Sequence, residues 1–217
     1  MNSLSMVLRK SGHDIFQNIV EVVGVSLVSS LILLPGLFFM PPAFGVIYLL
    51  FTAMPSVASA FYMINQKKNR KTFKYSMFFK GFKKFYGRAL IFGILLALLT
   101  IIPVSSWWYY ITAKTMLSLI IAIFQSYFYI MILIAFVYIM PIMVIEDKGM
   151  SYSLRISLKL LLDNPGYTIG SFIQVVTVSA LLMVTVISIP LLFIGIFSIF
   201  SANLYENVLK KYEEIKQ

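Results

Sequence analysis

Residues 166–204 read GYTIGSFIQVVTVSALLMVTVISIPLLFIGIFSIFSANL, 39 residues without one charged side chain. As a single helix this stretch would be about 58 Å long at 1.5 Å per residue, nearly twice the ~30 Å hydrocarbon thickness of a bilayer. It therefore has to fold back. Pro190, preceded by Ser188 and Ile189, is the natural break, because proline removes a backbone donor and disfavours helix in the residue before it. Two spans result, residues 166–189 and 190–204. Four other stretches supply the roughly 20 apolar residues a crossing needs: 22–40, 42–63, 89–110 and 116–145.

The composition agrees with six crossings. Of 217 residues, 60% are hydrophobic and 12% charged, and the mean hydropathy is +0.90. Soluble domains carry about a quarter charged residues, enough to clothe one core, and this chain does not. The expected fold is all-α: one transmembrane helical bundle over residues 1–217, six helices as three hairpins. The apolar run after Arg9 and Lys10 lacks a small-residue cleavage site and reads as a retained helix rather than a secretory leader.

Charge sets the expected orientation. With six spans, residues 1–21, 64–88, 146–165 and 205–217 fall on one side and hold 2, 9, 3 and 3 basic residues, and only Lys114 falls on the other. Lysine and arginine are retained inside, so both termini are expected in the cytoplasm of a multi-pass protein of the cytoplasmic membrane. Five spans would move Lys210, Lys211 and Lys216 outside, so the charge pattern supports the break at Pro190 independently. The outer turns are short: Pro35-Gly36 through Pro41-Pro42, Trp107-Trp108-Tyr109-Tyr110, and the Pro190 break. Ser5-Met6, Gly24 and Pro35 recur in spacing as Ser76-Met77, Gly93 and Pro103, a degenerate repeat of the kind found in transporters.

The segment richest in possible contacts is 65–88, with Lys67, Lys68, Arg70, Lys71, Lys74, Lys80, Lys83, Lys84 and Arg88; no acid occurs from Val22 to Ile145. Tyr75, Phe78, Phe79, Phe82, Phe85 and Tyr86 recur at helical spacing, and Lys74, Lys80, Lys83 and Lys84 fall opposite. Such a pattern predicts a helix over residues 73–86 lying on the inner surface, aromatic face in the acyl boundary and lysines on anionic lipid at ~1 kcal/mol each. The same basic residues could dock a membrane protein partner. Nucleic acid is not expected, because no aromatic on the basic face is left to stack on bases. The inner loop 146–165 alternates polar and apolar residues over 151–159. With no strand to pair with, it reads as a short surface helix ending before Asn164-Pro165-Gly166.

Chemistry has little to work with. The chain has no cysteine and one histidine, His13, beside Asp14. Neither a nucleophile motif nor a phosphate-cradling loop nor a metal-ligand spacing is present, so no enzyme activity, metal or cofactor is expected. Glu21 marks an interface. Gln125 and Gln174 fall near mid-span by helix count, where amides find partners across helix contacts worth roughly 0.6 to 2 kcal/mol.

The turn Leu34-Pro35-Gly36 to Pro41-Pro42-Ala43, the small-residue stretch Ser56-Val57-Ala58-Ser59-Ala60 with Phe61-Tyr62, and the segment Phe78-Phe79-Lys80-Gly81-Phe82-Lys83-Lys84 resemble the YesL-like family of bacterial six-helix membrane proteins. Leu37 to Met40 depart from that family's pattern, which continues its outer turn with Thr, Ile and Gly. Met140-Pro141-Ile142, Glu146-Asp147 and Ser157-Leu158 are similar to neighbouring families of six-helix envelope proteins. The resemblance implies a small cytoplasmic-membrane protein accompanying carbohydrate import systems, and it transfers no functional residue. Three functions are compatible with these readings. The first is a non-catalytic accessory or regulatory partner of a membrane transport system. The second is a small-molecule binding or transport subunit like the substrate-capturing components of vitamin importers, with Gln125, Gln174, Trp107 and Trp108 lining its pocket. The third is an intramembrane enzyme acting on lipid.

Overall fold

A computed structural model describes residues 3–68, 74–185 and 187–214. Arg70, Lys71 and Phe73 lie outside the described residues. Those described contain eight α-helices and no strand, so the all-α expectation holds. Six segments are long and apolar enough to cross a bilayer: Ile19–Phe39, Pro42–Lys68, Ser76–Ala113, Met116–Ile145, Pro165–Val184 and Ile189–Tyr212. This is a multi-pass membrane protein.

Two helices are too short and too polar to cross. Helix α1, Leu4–Gln17, buries Val7 and Ser11 and exposes Arg9, Lys10 and His13. It is separated from α2, Ile19–Leu34, by one kink at Asn18, whose backbone N–H and side-chain amide both donate to the Asp14 carbonyl. Residue order places the first span at 22–40 and predicts no separate helix ahead of it, so α1 is an addition from the structure. Helix α6, Met150–Asp163, is the short helix expected in the second inner loop.

Proline chemistry explains the joints. After α2 the chain makes one π-helical turn, Pro35–Phe39; Met40 is extended (φ −100°, ψ 147°), as a residue before proline must be, and α3, Pro42–Lys68, opens on a proline whose missing N–H no helix start needs. Lys114, in the left-handed region at φ 50°, ends α4, Ser76–Ala113, and the Thr115 side chain caps α5, Met116–Ile145, by accepting from the Ser118 N–H at 3.2 Å. The last fold-back comes a turn earlier than Pro190. Helix α7, Pro165–Val184, ends at the extended Thr185, a π-helical turn Ile189–Phe193 holds Pro190, and α8, Ile194–Glu214, continues ten residues past the expected end of the sixth span at 204.

The core sits at the end of the bundle where α1 and α6 lie. Tyr138 and Ile142 of α5 are fully buried there against Leu204, Tyr205 and Val208 of α8, and Ile139, Met140 and Met143 are buried with Phe61 of α3 and Phe85 and Phe92 of α4. Rings of Phe92, Phe136, Phe197 and Phe193 stack in succession at 5.3, 5.5 and 6.1 Å, joining α4, α5 and α8, and Phe61 of α3 meets Phe197 edge-on. Gly195 and Gly81 let separate helices approach closely. A Cβ at Gly195 would stand 2.6 Å from the Val22 carbonyl, and one at Gly81 would stand 2.7 Å from the Tyr62 ring.

Candidate functional site

The basic segment does not form a separate surface helix. Ser76–Tyr86 is the start of α4, which runs on through Gly87, Arg88 and Ala89 without a break. Its aromatic stripe turns toward the protein, correcting the expected contact with the acyl boundary. Phe78 and Phe85 are fully buried and Phe82 is half-buried, while Tyr75 and Phe79 stay exposed. The cause is a nearer partner: α3 offers Ala58, Phe61 and Tyr62, α2 offers Val22 and Val25, and Gly81 removes the side chain that would hold them apart.

Of the seven basic residues of this segment that are described, four have an acidic partner inside the protein. Lys67 pairs with Glu21, the residue read as an interface marker. Lys68 pairs with Glu206 and donates to the Asn203 side-chain oxygen at 3.1 Å. Lys84 and Arg88 both reach Asp147 at 2.7 Å, clasping the start of α4 to the loop between α5 and α6, and Arg88 also donates to the Lys148 carbonyl. These two cations hold the Asp147 carboxyl below its ordinary range, Lys84 contributing most. Lys74, Lys80 and Lys83 are exposed and make no ion pair among the described residues.

Lys67 and Lys68 line a charged cleft of about 240 Å³, where α1, α2, α3 and α8 converge around Lys10, Asp14, Asn18, Glu21 and Asn203. Asn203 is its hub, donating to Asp14 at 2.8 Å and to Ser11 at 3.1 Å while accepting from Lys68. Asp14 thus bonds α8 and not His13, which is exposed and has no partner among the described residues. Sequence reading missed Asn203, Glu206 and Asn207. The signal was there, since with Lys210 they recur at i, i+3, i+4 and i+7 along one helical face. Among the described residues no group of three or more His, Asp or Glu could hold a metal.

The two glutamines part company. Gln125 accepts from the Ser106 hydroxyl, in a polar ladder that also joins Trp107 to Ser126 at 2.9 Å and Thr100 to Tyr129 at 2.9 Å between α4 and α5. Gln174 makes no hydrogen bond among the described residues. It lines a second cleft of about 250 Å³, walled by α1, α7 and α8 through Leu8, Ile15, Val178, Phe193, Phe197 and Phe200. The expected pocket of Gln125, Gln174, Trp107 and Trp108 is therefore not assembled: Trp108 lines an apolar groove between α3 and α4 with Val46 and Val104, and neither glutamine reaches it. Chain counting could not anticipate this, because it gives depth along a helix and not the face a neighbour covers. No family model, no curated protein and no solved structure matches the chain.

Proposed function

We propose that the protein is an accessory or regulatory partner of a membrane transport system, working by contact and catalysing no reaction. It lies in the cytoplasmic membrane as three hairpins, with both ends of the chain inside. Seventeen of its 18 basic residues then face the cytoplasm, as the positive-inside rule requires. The resemblance to the YesL-like family supports an association with import systems.

The observation that carries the reading is the uneven fate of the basic segment. Where Lys67, Lys68, Lys84 and Arg88 are neutralised within the fold, Lys74, Lys80 and Lys83 stay exposed beside the exposed ring of Phe79. Charges left unpaired beside an apolar ring fit an acidic surface on a partner.

The test is charge reversal of the unpaired lysines alone. Three exposed ion pairs at up to ~1 kcal/mol each amount to as much as about a hundredfold in affinity. The Lys74→Glu, Lys80→Glu, Lys83→Glu protein should therefore lose its cross-linked partner in native membranes while keeping its melting temperature. Raised salt should mimic the change. Undiminished partner recovery from the triple variant would overturn the reading. So would a purified activity abolished by His13→Ala in a folded protein.

A further inference from the structure

The cleft between α1, α7 and α8 is chemically unlike the charged one beside it. No charged side chain lines it, and its two polar side chains are Ser11, already engaged by Asn203, and Gln174, which has no hydrogen bond among the described residues. A volume of about 250 Å³ would hold several waters at ~30 Å³ each, yet each buried water needs two to four polar partners and this wall provides one free amide. Hydrocarbon fits the wall and water does not.

The cleft also has a direction. It runs from Phe200 of α8 back to Phe193 in the π-helical turn, seven residues or about 10 Å. Beyond Phe200 the helix turns polar at Asn203, Glu206 and Asn207. At its other end the helix meets the apolar turn Ile189–Phe193. Gln174 stands at the polar end: Leu4 of α1 packs on Gly170 one turn earlier in α7, and Ser11 of α1 is bonded to Asn203.

We infer that this cleft is a binding site for one acyl chain of an ester-linked membrane lipid. The chain runs along Phe197 toward Phe193, and the Gln174 amide donates to the ester carbonyl. The amide suits an uncharged oxygen acceptor, and a carboxylate there would find no cation on the wall. Helix α7 leaves a route from the bilayer, since Ile173, Val176, Leu181 and Met183 along it are exposed. The site is separate from the basic edge of α4, so failure of either proposal leaves the other standing.

Gly12 makes a clean test. It lines the cleft, and a Cβ added there would meet no atom within 4 Å, so Gly12→Phe brings a ring to the wall of the site without a clash at its Cβ. Gly87 is equally open but lies outside the cleft, which makes Gly87→Phe the control. The full chain, reconstituted in nanodiscs doped with a phosphatidylcholine carrying a diazirine near its acyl terminus, is irradiated and its cross-linked peptides are mapped. Labelling should concentrate on Val178 and on 193–197. It should fall at least fivefold in Gly12→Phe and stay unchanged in Gly87→Phe. Val178→Trp serves as a second blocking variant should Gly12→Phe melt early. In competition, ester lipid should outcompete its ether analogue in the wild type and show no advantage in Gln174→Leu. Labelling spread evenly over all spans, insensitivity to both blocking variants, or equal competition by ester and ether in the wild type would each overturn the site. So would a co-purifying protein helix cross-linked in the lipid's place.

Discussion

Asp147 shows how one residue joins distant parts of the chain. It sits at φ 54°, a left-handed conformation that Asp and Asn tolerate better than most residues, and receives both Lys84 and Arg88. With its folded pKa depressed below the unfolded value of about 3.9, it adds stability above that value and loses it as pH falls through the depressed one. The side chain is nearly half exposed, so the contribution is below ~1 kcal/mol. The expected outcome is local: the protection of residues 146–150 against hydrogen exchange in the detergent-solubilised protein, taken relative to the intrinsic rate at each pH, falls on acidification below pH ~4. In Asp147→Asn, which keeps the backbone conformation, protection should already be reduced at neutral pH and lose its acid dependence. An acid response unchanged in Asp147→Asn would place the titrating group elsewhere.

At the scale of the element, α4 and α1 carry the lesson. Both are amphipathic where they leave the bilayer, yet they are used differently. Helix α1 is separated from its span by the Asn18 kink and held by Asn203, whereas α4 passes through 38 residues, about 57 Å, as one rod. A surface helix hinged to a span would tolerate proline at Gly87. A continuous rod would not, because the ring removes the N–H bond to Lys83 and clashes with the preceding turn. Gly87→Pro is therefore expected to lower stability by ~3 kcal/mol, and Gly87→Ala to raise it by ~0.5 to 1 kcal/mol, read as shifts in thermal melts in one detergent. A Gly87→Pro protein that melts like the wild type would restore the hinged surface helix.

For the whole molecule, the proposed orientation is open to a direct test because the chain has no cysteine background. An impermeant maleimide added to intact cells should label Lys114→Cys and spare Lys83→Cys. Labelling of Lys83→Cys from outside would invert the topology. Six apolar segments, their approximate limits and the fold-back near Pro190 were legible in residue order, because length against bilayer thickness and the backbone chemistry of proline act locally. Helix α5 could be bounded to the residue, since nothing but its own apolar run and the Thr115 cap sets its ends. The fate of polar groups was not legible. Counting gave Gln125 and Gln174 the same standing, and only packing gave one a serine and left the other alone beside an apolar cleft. The nine basic residues looked equivalent until Glu21, Glu206 and Asp147, from three separate parts of the chain, were brought to four of them. The sequence by itself determined which segments leave water, through the free energy of burying each side chain. Only the tertiary structure decided which charges and amides remain for a partner, because that depends on contacts between residues far apart in the chain.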